Sequence, residues 1–234
     1  MPERVIEKLI QRQLNQWNRM RELLPEIEPA ELPRRPIITI SRQVGSGGRE
    51  LAEALARRLD LQVHDQDIVE HIARNEKIAA EVVAHLDEQT VSQIDLWVRG
   101  VLNRRIYMRD EYQEELVRTV RTLAAHGGVV VLGRGGTFIL ADRADLRLRL
   151  VAPVETRVQA LVNERGLSVA EAEQSVAESD AARADFVRKL FRADIDDPVH
   201  YDLVINTDGI DGDRLPELVL LALEVRGAFE KREP

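Results

Sequence analysis

The chain has no cysteine, which excludes disulfides and thiolate metal sites and makes a reducing cytoplasm its natural setting. Aromatic residues are only 4% of it, so a core drawn from its 44% hydrophobic residues must pack mainly with aliphatic side chains. No long hydrophobic run is present. The opening Met1-Pro2-Glu3-Arg4 leads into scattered charge, so neither a secretory signal nor a membrane span is expected. Positive charge is also in short supply. A formal net charge of −8 argues against nucleic acid held by bulk electrostatics, while leaving room for a local basic pocket and a small phosphorylated ligand. The five histidines show no paired ligand spacing, and no metal ligands can be named from the sequence. A nucleophile elbow, a dinucleotide fingerprint, internal repeats and low-complexity tracts are all missing.

What is present centres on Ile37-Ile38-Thr39-Ile40-Ser41-Arg42-Gln43-Val44-Gly45-Ser46-Gly47-Gly48-Arg49-Glu50. A β-branched run meets three glycines within four residues, and helical spacing follows at once in Leu51, Ala52, Leu55, Ala56 and Leu59. Strand, glycine turn and helix hold phosphate because the turn's N–H groups and the helix's positive end face one spot. Glycine there lets the backbone wrap the anion and reach φ > 0. The spacing resembles the P-loop of nucleoside monophosphate kinases without matching it. In one register Gly48 stands where the loop lysine belongs and Glu50 where the magnesium-binding hydroxyl belongs; in the other, Gln43 replaces the first glycine. Arg49 can supply the missing positive charge, since a guanidinium forks two phosphate oxygens. A tight turn in an ordinary α/β domain is the alternative.

The rest of the chain is expected to alternate helices and strands. Residues 3–24 read as an amphipathic helix with Ile6, Ile10, Leu14 (or Leu9), Trp17, Met20 and Leu24 on one stripe. Prolines 25, 29, 33 and 36 make 25–36 a stiff connector. This arm of residues 1–36 packs on the body or on a second copy, giving a homodimer. Residues 61–65 form a short strand, followed by helices at about 66–75, 78–86, 89–106 and 108–126, the last stopped by His126-Gly127-Gly128. Val129–Leu132 reads as a buried strand opening into Gly133-Arg134-Gly135-Gly136, and residues 146–151 as the next strand. Helices from Pro153 and from Ser168 to about Phe191, a strand at 201–205 and a helix at 216–225 complete it. Such alternation predicts a parallel sheet with the ligand beyond the strands' carboxyl ends.

Phosphoryl transfer needs charge neutralisation and two substrates held in line. Asp65 ends the second strand, where it holds magnesium through water, accepts from an acceptor hydroxyl, or simply caps the following helix. Arg134 sits between glycines at a strand end, placed to grip a phosphate or to make a surface ion pair. Asp180 and Arg183 share a helix face, either as an ion pair or, with Arg188 and Lys189, as part of a cationic lid that shuts out water.

Together these stretches resemble the cytidylate kinase-like family. The resemblance rests on ITISRQVGSGGRELAEALA (37–56), HDQDIVEHIA (64–73), VVVLGRGGTFIL (129–140), LRLVAPVETRV (148–158) and DAARADFVRKLFRADIDDPVHYDLVINT (180–207). It covers nearly everything from residue 37 onward, so 37–234 is expected to be one kinase-like domain with a helical acceptor-side insertion at about 66–126 and a lid at about 176–198. It implies an α/β fold, a P-loop kinase-like parallel five-stranded sheet flanked by helices, with the N-terminal helical arm added. It also implies a cytoplasmic ATP-dependent phosphotransferase using Mg2+, with CMP or a related small molecule as acceptor and neither nucleic acid nor membrane as partner. By the same resemblance Gly45, Ser46, Gly47, Gly48 and Arg49 bind the donor's phosphates. Asp65, Arg134, Asp180 and Arg183 meet the acceptor, and Arg49, Arg183, Arg188 and Asp65 carry the catalysis. The family's acceptor-reading serine and arginine have no counterpart in Gln66-Asp67-Ile68-Val69, and Val176 stands near the place of the first lid arginine. These departures fit a branch near the true cytidylate kinases. They leave two alternatives: a nucleotide-binding module without catalysis, or a kinase for a non-nucleotide metabolite.

Overall fold

The computed structural model describes residues 3–23, 35–84, 86, 88–104, 111–125 and 127–228. Leu24, most of the proline connector, His126 and the ends of the two helices expected to meet near 106–108 lie outside these residues. The described elements are α1 (Glu3–Leu23), β1 (Ile37–Arg42), α2 (Gly48–Leu59), β2 (Gln62–His64), α3 (Gln66–Ala73), α4 (Glu76–Val83), α5 (Glu88–Arg104), α6 (Glu111–Ala125), β3 (Val129–Leu132), α7 (Gly136–Ile139), β4 (Leu146–Val151), α8 (Val154–Arg165), α9 (Val169–Phe191), β5 (Leu203–Asn206) and α10 (Leu215–Val225). A 3₁₀ turn at Pro198–His200 precedes β5.

The five strands are all parallel, in the order β2-β3-β1-β4-β5. β1 is central, with Ile38 opposite Val130 on one side and Leu146 on the other. Its β-branched residues suit a pleat buried on both faces. Ile38 and Ile40 join Leu148, Leu150 and Leu55 in a core closed by α2 and α10. Ile37, Val129 and Val131 face the opposite core, closed by α1, α3 and α6. The loops that follow β1, β2 and β3 therefore meet at one edge of the sheet. There a ligand finds backbone groups unclaimed by the ladder.

The sequence places the strands well and the helix ends less well: α3 ends two residues early, α4 starts two and ends three residues before its expected bounds, and α10 starts one residue early. Short α7 was not expected: Thr137 Oγ1, 3.2 Å from Thr39 Oγ1, ties this turn to the underside of β1. The arm's stripe lies on the body. Ile6, Ile10, Leu14 and Trp17 are only 4% to 7% exposed and join the core around α3, while Met20 and Leu24 of the same stripe lie outside the described side chains. Among the described residues, no helix is long and apolar enough to cross a membrane.

Candidate functional site

The glycine turn follows β1 as the sequence predicts. Gly45 and Gly47 both have φ near 74°, the left-handed region that glycine enters without strain. At Gly45 there is also no room for a side chain, because a Cβ would lie 2.6 Å from the Arg157 carbonyl oxygen. The Ser46 hydroxyl turns inward and donates to the Gln43 carbonyl at 2.8 Å. Ser46 can therefore offer a phosphate its N–H but not its side chain. The turn is anchored to its neighbours as well: Ala152 N–H donates to Gln43 Oε1 at 3.0 Å, and Thr207 Oγ1 donates to the Ser46 carbonyl at 3.3 Å. Leu51 N–H finds the Gly47 carbonyl at 3.0 Å, whereas the amides of Gly45 to Arg49 meet no acceptor among the described residues. These amides and the start of α2 form an anion seat.

Next to this seat is a cavity of about 310 Å³. Arg134 reaches it from the end of β3 and Arg183 from α9. Gly133, Arg134 and Gly135 all have positive φ, which for arginine is a strained conformation that lifts the side chain off the strand end. Arg134 forms an ion pair with Glu70, lies over the Phe186 ring at 5.7 Å, and has its Nε buried without a partner. Burial lowers its pKa; the Asp67 carboxylate opposes that, and the Arg183 cation adds to it. Arg183 makes no ion pair among the described residues, and its Nη1 is buried without an acceptor. Burial lowers its pKa too. Asp180 pulls the other way, and Arg149, Arg157 and Arg165 push in the same direction as burial.

The remaining expected residues fall into three places. Asp65 caps α3, accepting from Ile68 N–H at 3.2 Å, and also accepts from Arg49 at 2.9 Å. The helix-cap reading of Asp65 is observed, and each carboxylate oxygen keeps a second lone pair. Arg49 is half exposed and leans toward Asp65 rather than back over the turn. Asp180 is not hydrogen-bonded to Arg183: it accepts from the buried Arg157 at 2.8 Å, bracing α9 on α8. Arg188 is exposed and pairs with Asp185 on its own helix, as does Lys189, so neither lines the cavity. α9 is one continuous helix through the first part of the expected lid.

Two features were missed. Arg42, the last residue of β1, enters the same cavity, and its guanidinium makes no ion pair or hydrogen bond among the described residues. Burial first, then the Arg183 cation, brings its pKa down from the ordinary arginine value to about 9; Asp65 opposes this, and Arg49 and Arg134 add to it. Nothing in the sequence ties Arg42 to Gly48; only the fold lays its stem against that glycine, where a Cβ would lie 2.7 Å from Arg42 Cγ. The second feature is an aromatic wall. Phe138 stacks on Phe191 with ring centroids 4.9 Å apart, and Phe186 meets Phe191 edge-on. Phe138 and Phe186 line the cavity, and Phe191 packs against both.

Unclaimed amides, left-handed glycines and unpaired guanidiniums are a donor set for phosphate oxygens, so the residues fit the triphosphate of ATP. Among the described residues there is no group of three or more His, Cys, Asp or Glu able to hold a metal. Magnesium commonly rides on substrate phosphates with one or two carboxylates and several waters, and Glu50 in the first turn of α2 and Asp65, paired with Arg49, are carboxylates close to the turn.

Known proteins agree with this architecture. A cytidylate kinase from Pyrococcus horikoshii is 27% identical over 172 residues, covering 73% of this chain and 79% of that protein. One from Archaeoglobus fulgidus is 28% identical over 193 residues, covering 81% and 95%. A solved structure of an uncharacterized protein from Eubacterium ventriosum shares the fold at a TM-score of 0.62 and 16% identity, covering 82% of this chain and 99% of that one. The model of the cytidylate kinase-like family matches residues 37–209, the span that holds the turn, the cavity and all five strands. The chain belongs to the cytidylate kinase-like family.

Proposed function

We propose that the protein is an ATP-dependent phosphotransferase that moves a γ-phosphoryl group onto a small acceptor bearing a phosphate of its own, CMP being the first candidate. One observation carries this reading: the guanidiniums of Arg134, held only by Glu70, and Arg183, which has no ion pair among the described residues, line a cavity with Ser41 and Arg42, the end of the strand that runs on into the glycine turn with its unclaimed amides. A phosphate acceptor would arrive as a dianion, which needs cations and no general base. Arg134 and Arg183 would hold its oxygens in line with the donor. Arg49, held by Asp65 away from the turn, would have to swing back to meet the donor's phosphates. Phe138 and Phe186 give the acceptor's base or ring an apolar wall and keep water out of the transfer path. ATP would supply the phosphoryl group, with magnesium neutralising its oxygens. A cysteine-free chain suits the reducing cytoplasm where such acceptors are found.

The second reading, nucleotide binding without turnover, has its own observation: Glu50, where a magnesium-binding hydroxyl is usual, is exposed and acidic. A coupled ADP-release assay with CMP, UMP, AMP, GMP and their deoxy forms separates the two. ADP release that depends on one of these acceptors is expected. ATP binding with no release for any acceptor favours the module, and release only with non-phosphorylated metabolites would move the acceptor class away from nucleotides.

A further inference from the structure

The loop lacks its lysine, yet the space a lysine would use is not empty. A Cβ placed on Gly48 would lie 2.7 Å from Cγ and 2.9 Å from Cβ of Arg42. Gly48 opens α2 with ordinary helical backbone, so a positive φ does not account for the glycine; room for the Arg42 stem does. Further along, a Cβ on Gly133 would run into the Nη1 of the same arginine. The Arg42 side chain thus passes under the start of α2 and ends beside the turn after β3. Its guanidinium lines the cavity shared by Arg134 and Arg183, and its backbone ends the strand that leads into the donor turn.

What surrounds Arg42 is also unusual for a half-buried cation. Other buried arginines of this chain have carboxylates: Arg121 has Asp142, Arg149 has Asp196, Arg157 has Asp180. Arg42 faces the cations Arg49, Arg134 and Arg183, and the one nearby carboxylate, Asp65, spends its hydrogen bonds on Arg49 and Ile68. A buried charge without a counter-ion destabilises the fold, and a bound anion removes that cost.

Resting on the phosphotransferase reading, we infer that Arg42 is the phosphate cation of this loop. It comes from the strand before the turn rather than from the helix after it, and Gly48 and Gly133 clear its path. Its fork lies where the phosphate passed from donor to acceptor must be, so it would touch both substrates. The loop's departure from the usual pattern is then a relocation of the charge.

Calorimetric titration of ATP with magnesium into the full chain tests this with four proteins: wild type, Arg42→Ala, Gly48→Lys and the double variant Arg42→Ala/Gly48→Lys. Losing one charged fork should weaken ATP on the order of 10- to 100-fold in Arg42→Ala. Gly48→Lys alone should also weaken it, because the Arg42 stem occupies the new side chain's space. The double variant should recover on the order of tenfold over Arg42→Ala, since a lysine now fits and restores the charge. Arg42→Met guards against misfolding: its unliganded melting temperature should be at or above wild type, with a reduced rise on adding ATP. Wild-type ATP affinity in Arg42→Ala, or a double variant no tighter than Arg42→Ala, overturns the inference. So does an Arg42→Met protein whose ATP-induced rise equals wild type. No ATP binding by the wild type overturns the phosphotransferase reading itself.

Discussion

Arginines on the two sides of this molecule are treated in opposite ways. Along β4 and the helices behind it, each buried guanidinium has a carboxylate. Arg147 is forked by Asp202 at 2.7 and 3.0 Å, Arg149 meets Asp196 at 2.6 Å, and Arg157 meets Asp180 at 2.8 Å. At the carboxyl ends of β1 and β3 the same residue type is crowded with like charge: Arg42 and Arg183 have no ion pair among the described residues, and Arg134 has only Glu70. Paired arginines brace elements against each other. Unpaired ones lower the fold's stability and are tolerated where an anion completes them. A site can therefore be found by asking which cations the fold leaves without partners.

The sharpest way to break that comparison is to delete one arginine from each group. Arg183→Ala should cost turnover about 10³-fold or more, as removal of a transition-state arginine does, with little change in melting temperature. Wild-type turnover in that variant would erase the distinction. Gly45→Ala should come next, because it forces a side chain onto a left-handed backbone and into the Arg157 carbonyl. Strain of about 1–3 kcal/mol and a weakened hold on ATP are expected. An unchanged melting curve would show that the turn relaxes freely.

On the paired side, Asp202→Ala should lower stability by about 1–3 kcal/mol and leave turnover intact. Burial raises the Asp202 pKa, but the Arg147 side-chain and backbone hydrogen bonds outweigh it and hold it below 3.8. Its contribution is therefore present above the ordinary carboxylate range and is lost as pH falls through the depressed value, a loss that the variant should not show. The smallest effect is expected at His64. It is 4% exposed with both ring nitrogens unpaired, and burial takes its pKa from 6.5 to about 4. The unfolded chain takes up that proton first, so wild-type stability should decline as pH drops from about 6.5 to 4. His64→Leu should flatten that stretch of the melting-temperature profile.

Much of this was legible in the sequence. The β-branched run before Gly45 and the run Val129–Leu132 fix two strands, and both open into glycines that announce left-handed turns. Arg134 and Arg183 could be picked out because each stands by a local landmark, a glycine pair or a helix face. Arg42 could not, since it reads as the last residue of a strand, and only the fold brings Gly48 and Gly133 to the two ends of its side chain. The partner of Asp180 was misjudged for a related reason. Helical spacing offers Arg183 one turn away, but the packing of α8 on α9 brings the buried Arg157 closer. Periodicity reports neighbours along an element and is silent about neighbours across a contact.

The central claim is that the unpaired guanidiniums and the glycine turn form one continuous phosphate path. The most direct measurement is titration of adenosine and cytidine joined by five phosphates, a probe long enough to occupy the turn and the cavity together, into wild type, Arg183→Ala and Arg147→Ala. Tight binding by wild type and Arg147→Ala, with a loss on the order of 10- to 100-fold in Arg183→Ala, is the predicted result. Equal affinity for all three proteins would contradict it.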